Sequence, residues 1–255
     1  MPSVADDLVY AADPVTWARE VLGFGPDPWQ ADLLRSPERR VLLNCCRQSG
    51  KSTTAAILCL HTALYRPGSL ILMVSPSLRQ SLELFRKLSD FADQLDPSPA
   101  RSEDNKLSAV FENRSRVVAL PGHESTIRGY SAPSLVVEDE ASRCEDEIYF
   151  AVRPMLAVSS GRLILMSTPR GCRGHFYKEW SEGGPSWKRV SITADQVSRI
   201  SPDFLEQERA SLGDWMYQQE YFGKFVQAED QYFSNYTINK MFDSNIKPLW
   251  ESASI

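Results

Sequence analysis

Residues 45–53 run Cys45-Cys46-Arg47-Gln48-Ser49-Gly50-Lys51-Ser52-Thr53, directly behind the apolar Val41-Leu42-Leu43. Gly-Lys-Ser between a strand and a helix is the gripping half of a P-loop, in which backbone N–H groups and a helix dipole meet a polyphosphate. In that geometry the Lys51 ammonium reaches the β/γ-phosphates and the Ser52 hydroxyl ligates Mg²⁺. The first glycine usual in such a loop is absent, with Cys45 in its place. Arg47 adds a positive charge where phosphates would sit.

A second group of residues could act on what that loop holds. Leu135-Val136-Val137-Glu138-Asp139-Glu140-Ala141 is an apolar strand pattern ending in consecutive acids. A buried strand with paired carboxylates at its end suits hydrolysis: Asp139 would hold the Mg²⁺ hydration shell and Glu140 would orient and deprotonate water. Three acids in a row leave the register ambiguous, and Ala141-Ser142, small residues suited to the turn, favour the pair Asp139-Glu140. Leu163-Ile164-Leu165-Met166-Ser167-Thr168-Pro169 is a second such strand. Its terminal hydroxyls, Ser167 or Thr168, could touch a γ-phosphate or the attacking water, or simply form a turn. Trp29-Gln30 after Pro28 offers an amide that can pair with both edges of adenine and an aromatic that can stack; a plain structural Gln-Trp pair reads equally well. Arg128, in Thr126-Ile127-Arg128-Gly129-Tyr130, is either an arginine finger or a structural ion-pair partner.

The elements that must position these groups alternate. A short helix over 14–23 ends at a glycine, Gly23–Pro28 breaks the chain, and a helix begins near Trp29. Strand Val41–Asn44 leads through the P-loop to a helix over 51–65, and strand Leu70–Val74 to a helix over 77–95. Residues 107–120 read as a β-hairpin or meander. Strand Leu135–Val137, a helix near 145–153 and strand Leu163–Met166 follow. Alternation of this kind predicts an α/β fold with a mostly parallel central sheet flanked by helices. Beyond Pro169 the texture changes, with 201–222 helical and 227–255 polar. The expected division is an ATPase core with an N-terminal adenine-binding segment over 1–169, a small helical lid or linker over 170–226, and a tail over 227–255.

Composition narrows the class without choosing the substrate. The 255 residues are 42% hydrophobic and 24% charged, ordinary for a globular chain. No run approaches the roughly 18 apolar residues of a membrane span. The start is acidic and lacks an apolar signal core. Five cysteines (Cys45, Cys46, Cys59, Cys144, Cys172) never form CxxC, which points to reduced thiols in a cytosolic protein rather than zinc. A net charge of −5 argues against a surface that coats nucleic acid all round, though arginines and lysines cluster locally near 35–40, 79–87 and 170–178.

Taken in order, these motifs resemble the ATPase domain of the large terminase subunit, the DNA-packaging motor of tailed bacteriophages and prophages. The matching pieces are Pro28-Trp29-Gln30, Cys46 through Thr53, Thr126 through Tyr130, Val136 through Ala141 and Leu165 through Gly171. Gln219-Glu220-Tyr221-Phe222-Gly223-Lys224-Phe225 also fits, as does the replaced first P-loop glycine. The resemblance implies a P-loop NTPase of the additional-strand, catalytic-glutamate type. It implies ATP and Mg²⁺ as cofactors, Lys51 and Ser52 on phosphate and metal, Asp139 completing the metal site and Glu140 as base. Gln30 would contact adenine, Ser167-Thr168-Pro169 would couple hydrolysis to movement, and Arg47 would contact phosphate. Arg128 matches a finger acting on a neighbouring subunit.

The same resemblance implies double-stranded DNA as partner, with a homo-oligomeric ring, by likeness a pentamer on the portal protein. The small terminase subunit is a further partner and the host cytoplasm the location; alone, the chain is expected as a monomer with feeble turnover. Members of this family continue into a nuclease domain. The acids after residue 200 (Asp203, Asp214, Asp230, Asp243) show no metal-ligand pattern, and Lys247-Pro248-Leu249-Trp250 resembles the run-in to that domain, so no DNA cleavage is expected. Two other readings compete: a superfamily 2 helicase fragment, for which the stretch after 170 is too short, and a nucleotide-binding scaffold without turnover.

Overall fold

The computed structural model describes residues 3–122, 127–226 and 241. The tail expected over 227–255, except Met241, lies outside the described residues, as do Thr126 and the first two residues.

Nine helices and eight strands are given labels below, in chain order. Helices α1 (Val4–Ala12), α2 (Pro14–Glu20) and α3 (Pro28–Arg35) precede β1 (Arg40–Cys45). Then come α4 (Lys51–Tyr65), β2 (Leu70–Ser75), α5 (Leu78–Asp93), β3 (Arg101–Asp104), β4 (Ser108–Phe111) and β5 (Arg116–Pro121). After β6 (Leu135–Asp139) follow α6 (Asp146–Ser159), β7 (Arg162–Ser167), α7 (Gly174–Glu182), β8 (Lys188–Ile192), α8 (Pro202–Leu212) and α9 (Asp214–Phe222).

Helix starts follow side-chain chemistry. Asp13 caps α2 by accepting from the Val15 N–H, with Pro14 behind it. Asp27 and Gln30 form a reciprocal capping box on α3, with Pro28 between them. Ser77 caps α5, and Ser201 caps α8 ahead of Pro202. In each case a short polar side chain satisfies an N–H that the helix itself cannot.

The strands form one eight-stranded sheet in the order β3-β4-β5-β2-β6-β7-β1-β8. From β5 to β8 every neighbouring pair is parallel, and β3-β4-β5 close one edge as an antiparallel meander. β7 lies between β1 and β6, and so separates the P-loop strand from the acidic strand. This is the additional strand of the expected fold. Central strands are buried on both faces, which is why they read as unbroken apolar runs. Val41 and Leu43 of β1 face a core with α4 and α5, while Leu42 faces a second core with α6 and α7. α4 is buried almost all round, from Thr54 through Ala63. Among the described residues no helix is long and apolar enough to cross a membrane.

The segment after Pro169 supplies, besides α7, α8 and α9, the strand β8, which pairs with β1 at the sheet edge. α9 then folds back onto β1: the Asn44 amide donates to the Gly223 carbonyl at 2.7 Å. Gly223 has φ 64°, and a Cβ there would lie 2.8 Å from Asn44 Oδ1. Only glycine both turns the chain and lets it approach so closely.

Beneath β6 a charged pair is sealed in the core. His175 Nε2 lies 2.8 Å from Glu138 Oε1, with the two side chains 2% and 1% exposed. Asp146 accepts from the His175 N–H at 2.7 Å, and the Tyr149 ring stacks on the imidazole at 4.9 Å. Burial pulls the His175 pKa down, but the carboxylates of Glu138 and Asp146 outweigh it and hold it above the ordinary value.

His175→Leu should lower unfolding free energy by about 3–5 kcal/mol, because it strands a buried carboxylate. Adding Glu138→Leu should recover most of that loss. The raised histidine pKa makes the pair's contribution complete below pH of about 6.5 and lost as pH rises through the raised value. Urea unfolding at pH 6 and at alkaline pH checks both points. A His175→Leu variant as stable as wild type at pH 6 would refute them.

Candidate functional site

β1 ends at Cys45, and the loop that follows is held open by its backbone. The Cys46 N–H bonds to the Ile192 carbonyl at 2.8 Å and the Arg47 N–H to the Glu220 carbonyl at 3.1 Å. Gln48 and Gly50 take φ of 59° and 92°, which curls the loop over the start of α4. No side chain caps α4. A fifteen-residue helix with an uncapped N-terminus presents N–H groups and its dipole to whatever anion enters. Burial pushes the Cys45 and Cys46 thiols up to about 12 and about 11, so neither is a ready nucleophile.

The acidic strand comes to the same point. Ser52 Oγ donates to Asp139 Oδ2 at 2.8 Å, across 87 positions of sequence. Lys51 Nζ lies 2.9 Å from Glu140 Oε1. The strand pleat settles the three acids: Glu138 points into the opposite core, while Asp139 and Glu140 meet the P-loop. Glu140 sits at φ 53°, ψ 42°, a left-handed conformation costing a non-glycine residue about 1–3 kcal/mol. Its N–H donates to Asp139 Oδ1 at 3.0 Å, and Arg143 Nε approaches Glu140 Oε2 at 3.6 Å.

Electrostatics at this junction are unbalanced. Burial foremost, and the neighbouring Glu140, raise the Asp139 pKa against the opposing pull of Lys51 and Ser52. Burial lowers the Lys51 pKa, but Glu140 and Asp139 more than compensate and leave it raised. A hydroxyl and a buried, under-compensated carboxylate are hard oxygen ligands, and they fit Mg²⁺, which takes one or two protein ligands and completes its shell with water and phosphate. Among the described residues no group of three or more His, Cys, Asp or Glu could hold a metal by itself.

Ser167 and Thr168 are buried, at 0% and 1% exposure, and do not line the cleft. They join its parts instead: Thr168 Oγ1 donates to the Cys45 carbonyl at 3.0 Å, and Ser167 Oγ to Ser142 Oγ at 2.7 Å. Ser142 Oγ in turn donates to the Thr168 carbonyl at 2.7 Å. Gln30 is also buried, its Oε1 accepting from the Asp27 N–H at 2.8 Å while its Nε2 rests against Gly50. Trp29 is half-buried against the core, its indole N–H without a partner. Arg47 pairs with Glu220 of α9 at 2.7 Å. Arg128 is exposed on a turn and is not among the residues lining the cleft.

The cleft itself measures about 640 Å³ and is lined by Arg47 through Thr53, Gln80, Lys87, Glu140, Arg143 and Arg199. Arg47, Lys51, Lys87 and Arg143 stand against Glu140 alone there, which suits a polyphosphate, while the charge of Arg199 is already met by Asp27. Sequence reading passed over Gln80, Arg143 and Arg199, and met Lys87 only as part of the basic cluster at 79–87. Arg143 carried a usable signal, three residues beyond Glu140 on a turn; Gln80 and Lys87, on α5, and Arg199 are brought in by tertiary folding alone.

A family model described as terminase large subunit, T4likevirus-type, N-terminal, matches residues 42–240. The terminase large subunit of Thermus virus P23-45 is 27% identical over 222 residues, covering 80% of this chain and 46% of that protein. The chain spans about half the length of the curated relatives it matches. Among solved structures, the large terminase ATPase domain of Thermus phage P74-26 aligns with a TM-score of 0.75 at 22% identity, covering 84% of this chain and 100% of that one. The large terminase of bacteriophage D6E in complex with ADP gives 0.60 at 12% identity, covering 85% and 53%. At these identities the structural likeness speaks for the fold.

The raised Asp139 pKa has a measurable consequence. A carboxylate disfavoured in the folded state gives full stability below its ordinary value of 3.8 and loses it as pH rises through the raised one. Nucleotide-free Asp139→Asn, which carries no charge to bury, should therefore melt higher than wild type at pH 8. The gap should narrow as pH falls. A lower melting temperature at pH 8 would count against the burial cost assigned to Asp139.

Proposed function

This chain belongs to the terminase large subunit family, in its T4likevirus-type N-terminal region, and on that premise we propose that it is an Mg²⁺-dependent ATPase that drives double-stranded DNA into a viral procapsid. The observation that carries the reading is the double meeting of Lys51 with Glu140 and Ser52 with Asp139 beside an uncapped helix N-terminus. A phosphate grip alone would make a binding protein; a carboxylate within reach of it makes hydrolysis possible.

In this reading the ATP polyphosphate lies along the P-loop backbone and the first turn of α4. The bound phosphates attract Lys51 away from Glu140, because a triphosphate is the more highly charged partner. Glu140 is then free to orient water and accept its proton. Ser52 and Asp139 would hold Mg²⁺, which supplies charge neutralisation on the phosphate oxygens. Arg47 must likewise leave Glu220 to touch phosphate, which ties loop occupancy to α9. Ser167 and Thr168 act one step back, by fixing Cys45 and Ser142 relative to each other. Gln30 reads the adenine side.

Residues 1–169 would then form the nucleotide-binding core. Residues 170–226 would serve as a lid whose strand β8 belongs to the sheet, with the tail leading on from it. Arg128, exposed on its turn, would act on a neighbouring subunit in a homo-oligomeric ring seated on the portal and supplied with DNA through the small subunit. Nucleotide complexes solved for the D6E large terminase, with ADP and with ATP-gamma-S, support the choice of ligand.

Steady-state ATP hydrolysis with Mg²⁺, across a wide range of protein concentration and with Lys51→Ala as blank, tests the reading. Glu140→Gln should keep ATP binding while kcat falls by about 10²–10⁴-fold. Equal turnover in both would sink the base assignment. Specific activity should rise with protein concentration, and Arg128→Ala should flatten that rise. A flat profile in wild type would reject action between subunits.

A further inference from the structure

Arg199 stands in the cleft wall without belonging to any motif recognised in the sequence. It follows the turn at Ala194–Gln196 and precedes α8. Its Nη1 lies 3.1 Å from Asp27 Oδ1 and 2.9 Å from Oδ2, and its Nη2 donates to the Ser49 carbonyl at 3.0 Å. One side chain thus ties the cap of α3 to the P-loop. About half of it, 51%, remains exposed.

Its neighbour on the loop is Gln30. At the point where a Cβ of Gly50 would sit, Gln30 Nε2 comes within 2.7 Å and Arg199 Nη2 within 3.5 Å. The two side chains therefore lie together over the same stretch of P-loop backbone. Gln30 turns its Nε2 toward that backbone, its Oε1 being held by the Asp27 N–H. A purine also needs a face to lie on, and among the described residues none that lines the cleft is aromatic. Trp29, the ring nearest in sequence, packs against the core instead. Guanidinium hydrogen bonds run in the plane of the group, so Asp27 and Ser49 hold the Arg199 plane by its edges while half of the side chain stays exposed. A delocalised planar cation stacks well on an aromatic ring.

We propose that Arg199 is the platform on which the adenine ring of ATP stacks, beside Gln30, and that it takes the place the sequence had offered to Trp29. This rests on the ATP reading above and deepens it by separating base recognition from phosphate recognition. The competing role is a strut that merely holds the P-loop in shape. A strut serves every ligand of the loop equally, whereas a platform serves only ligands that carry a base.

Calorimetric titration of wild type, Arg199→Ala and Arg199→Lys with Mg-ATP and with inorganic tripolyphosphate separates the two. Arg199→Ala should weaken ATP binding about ten-fold or more, in line with the loss of one base-stacking contact. Tripolyphosphate affinity should stay within about two-fold, which also certifies that the variant is folded. Arg199→Lys keeps the charge but loses the plane, and should bind ATP as poorly as Arg199→Ala. Equal loss for both ligands in Arg199→Ala would establish the strut and overturn the platform, as would full ATP affinity in Arg199→Lys. Wild type that binds neither ligand, or Lys51→Ala that binds both unchanged, would reject the ATP reading and the platform with it.

Discussion

The hydrogen bond from Ser52 to Asp139 is the contact on which the rest of the site depends. It joins the first turn of α4 to the end of β6, and those two elements touch at that end only because the sheet is parallel. Parallel strands deliver their carboxyl ends to one edge, where loops rather than ladders satisfy the backbone. β1, β6 and β7 all end there. Lys51–Glu140 repeats the same junction one residue earlier on α4 and one residue later beyond β6. Shift β6 by one residue, and Asp139 would exchange faces with Glu138.

β7 makes this junction rigid while keeping its two halves distinct. Because it runs between β1 and β6, the hydroxyls at its end can reach both sides, and they do so through Cys45 and Ser142. The P-loop and the turn that carries Glu140 are thus bonded to each other through the end of β7. α9 gives a second connection: Glu220 holds Arg47, Gln219 accepts from the Gly171 N–H at 2.9 Å, and Asn44 holds Gly223. The P-loop, the end of β7 and α9 thus share one network. Among its bonds, Arg47–Glu220 is the exposed one at the arginine end.

Much of this was legible in the chain. Apolar runs ending in chemistry-bearing residues located β1, β6 and β7, because strand burial leaves a local mark, and Gly50-Lys51-Ser52 marked the start of α4. The hairpin at 107–120 emerged as β4 and β5. β8 escaped because an edge strand needs few apolar residues, and only Val190 and Ile192 among Lys188, Arg189 and Ser191 hinted at it. α6 runs on past the expected end near 153 and carries Pro154 inside it, since Val152 and Leu156 are held by the core on either side. α1 and α7 left weak patterns, the one with an exposed apolar face and the other inside a Gly- and Arg-rich stretch. Arg199 left none: its importance lies in two partners distant in sequence, Asp27 and Ser49.

The run Glu138-Asp139-Glu140 shows how one short segment carries both stability and reactivity. Alternation along β6 sends Glu138 to the face where His175 waits, and Asp139 to the face where Ser52 and Lys51 wait. Glu138 is neutralised by a buried partner of opposite charge and stays out of the cleft. Asp139 has only a hydroxyl and a shared ammonium, so its charge remains costly until a ligand arrives. Glu140 is turned off the strand by its left-handed backbone, which is what lets its carboxylate face Lys51 rather than continue the pleat. Strain at Glu140 and under-compensated charge at Asp139 thus lie on the side of the segment that meets the P-loop, while the sealed Glu138–His175 pair keeps the third acid out of the cleft.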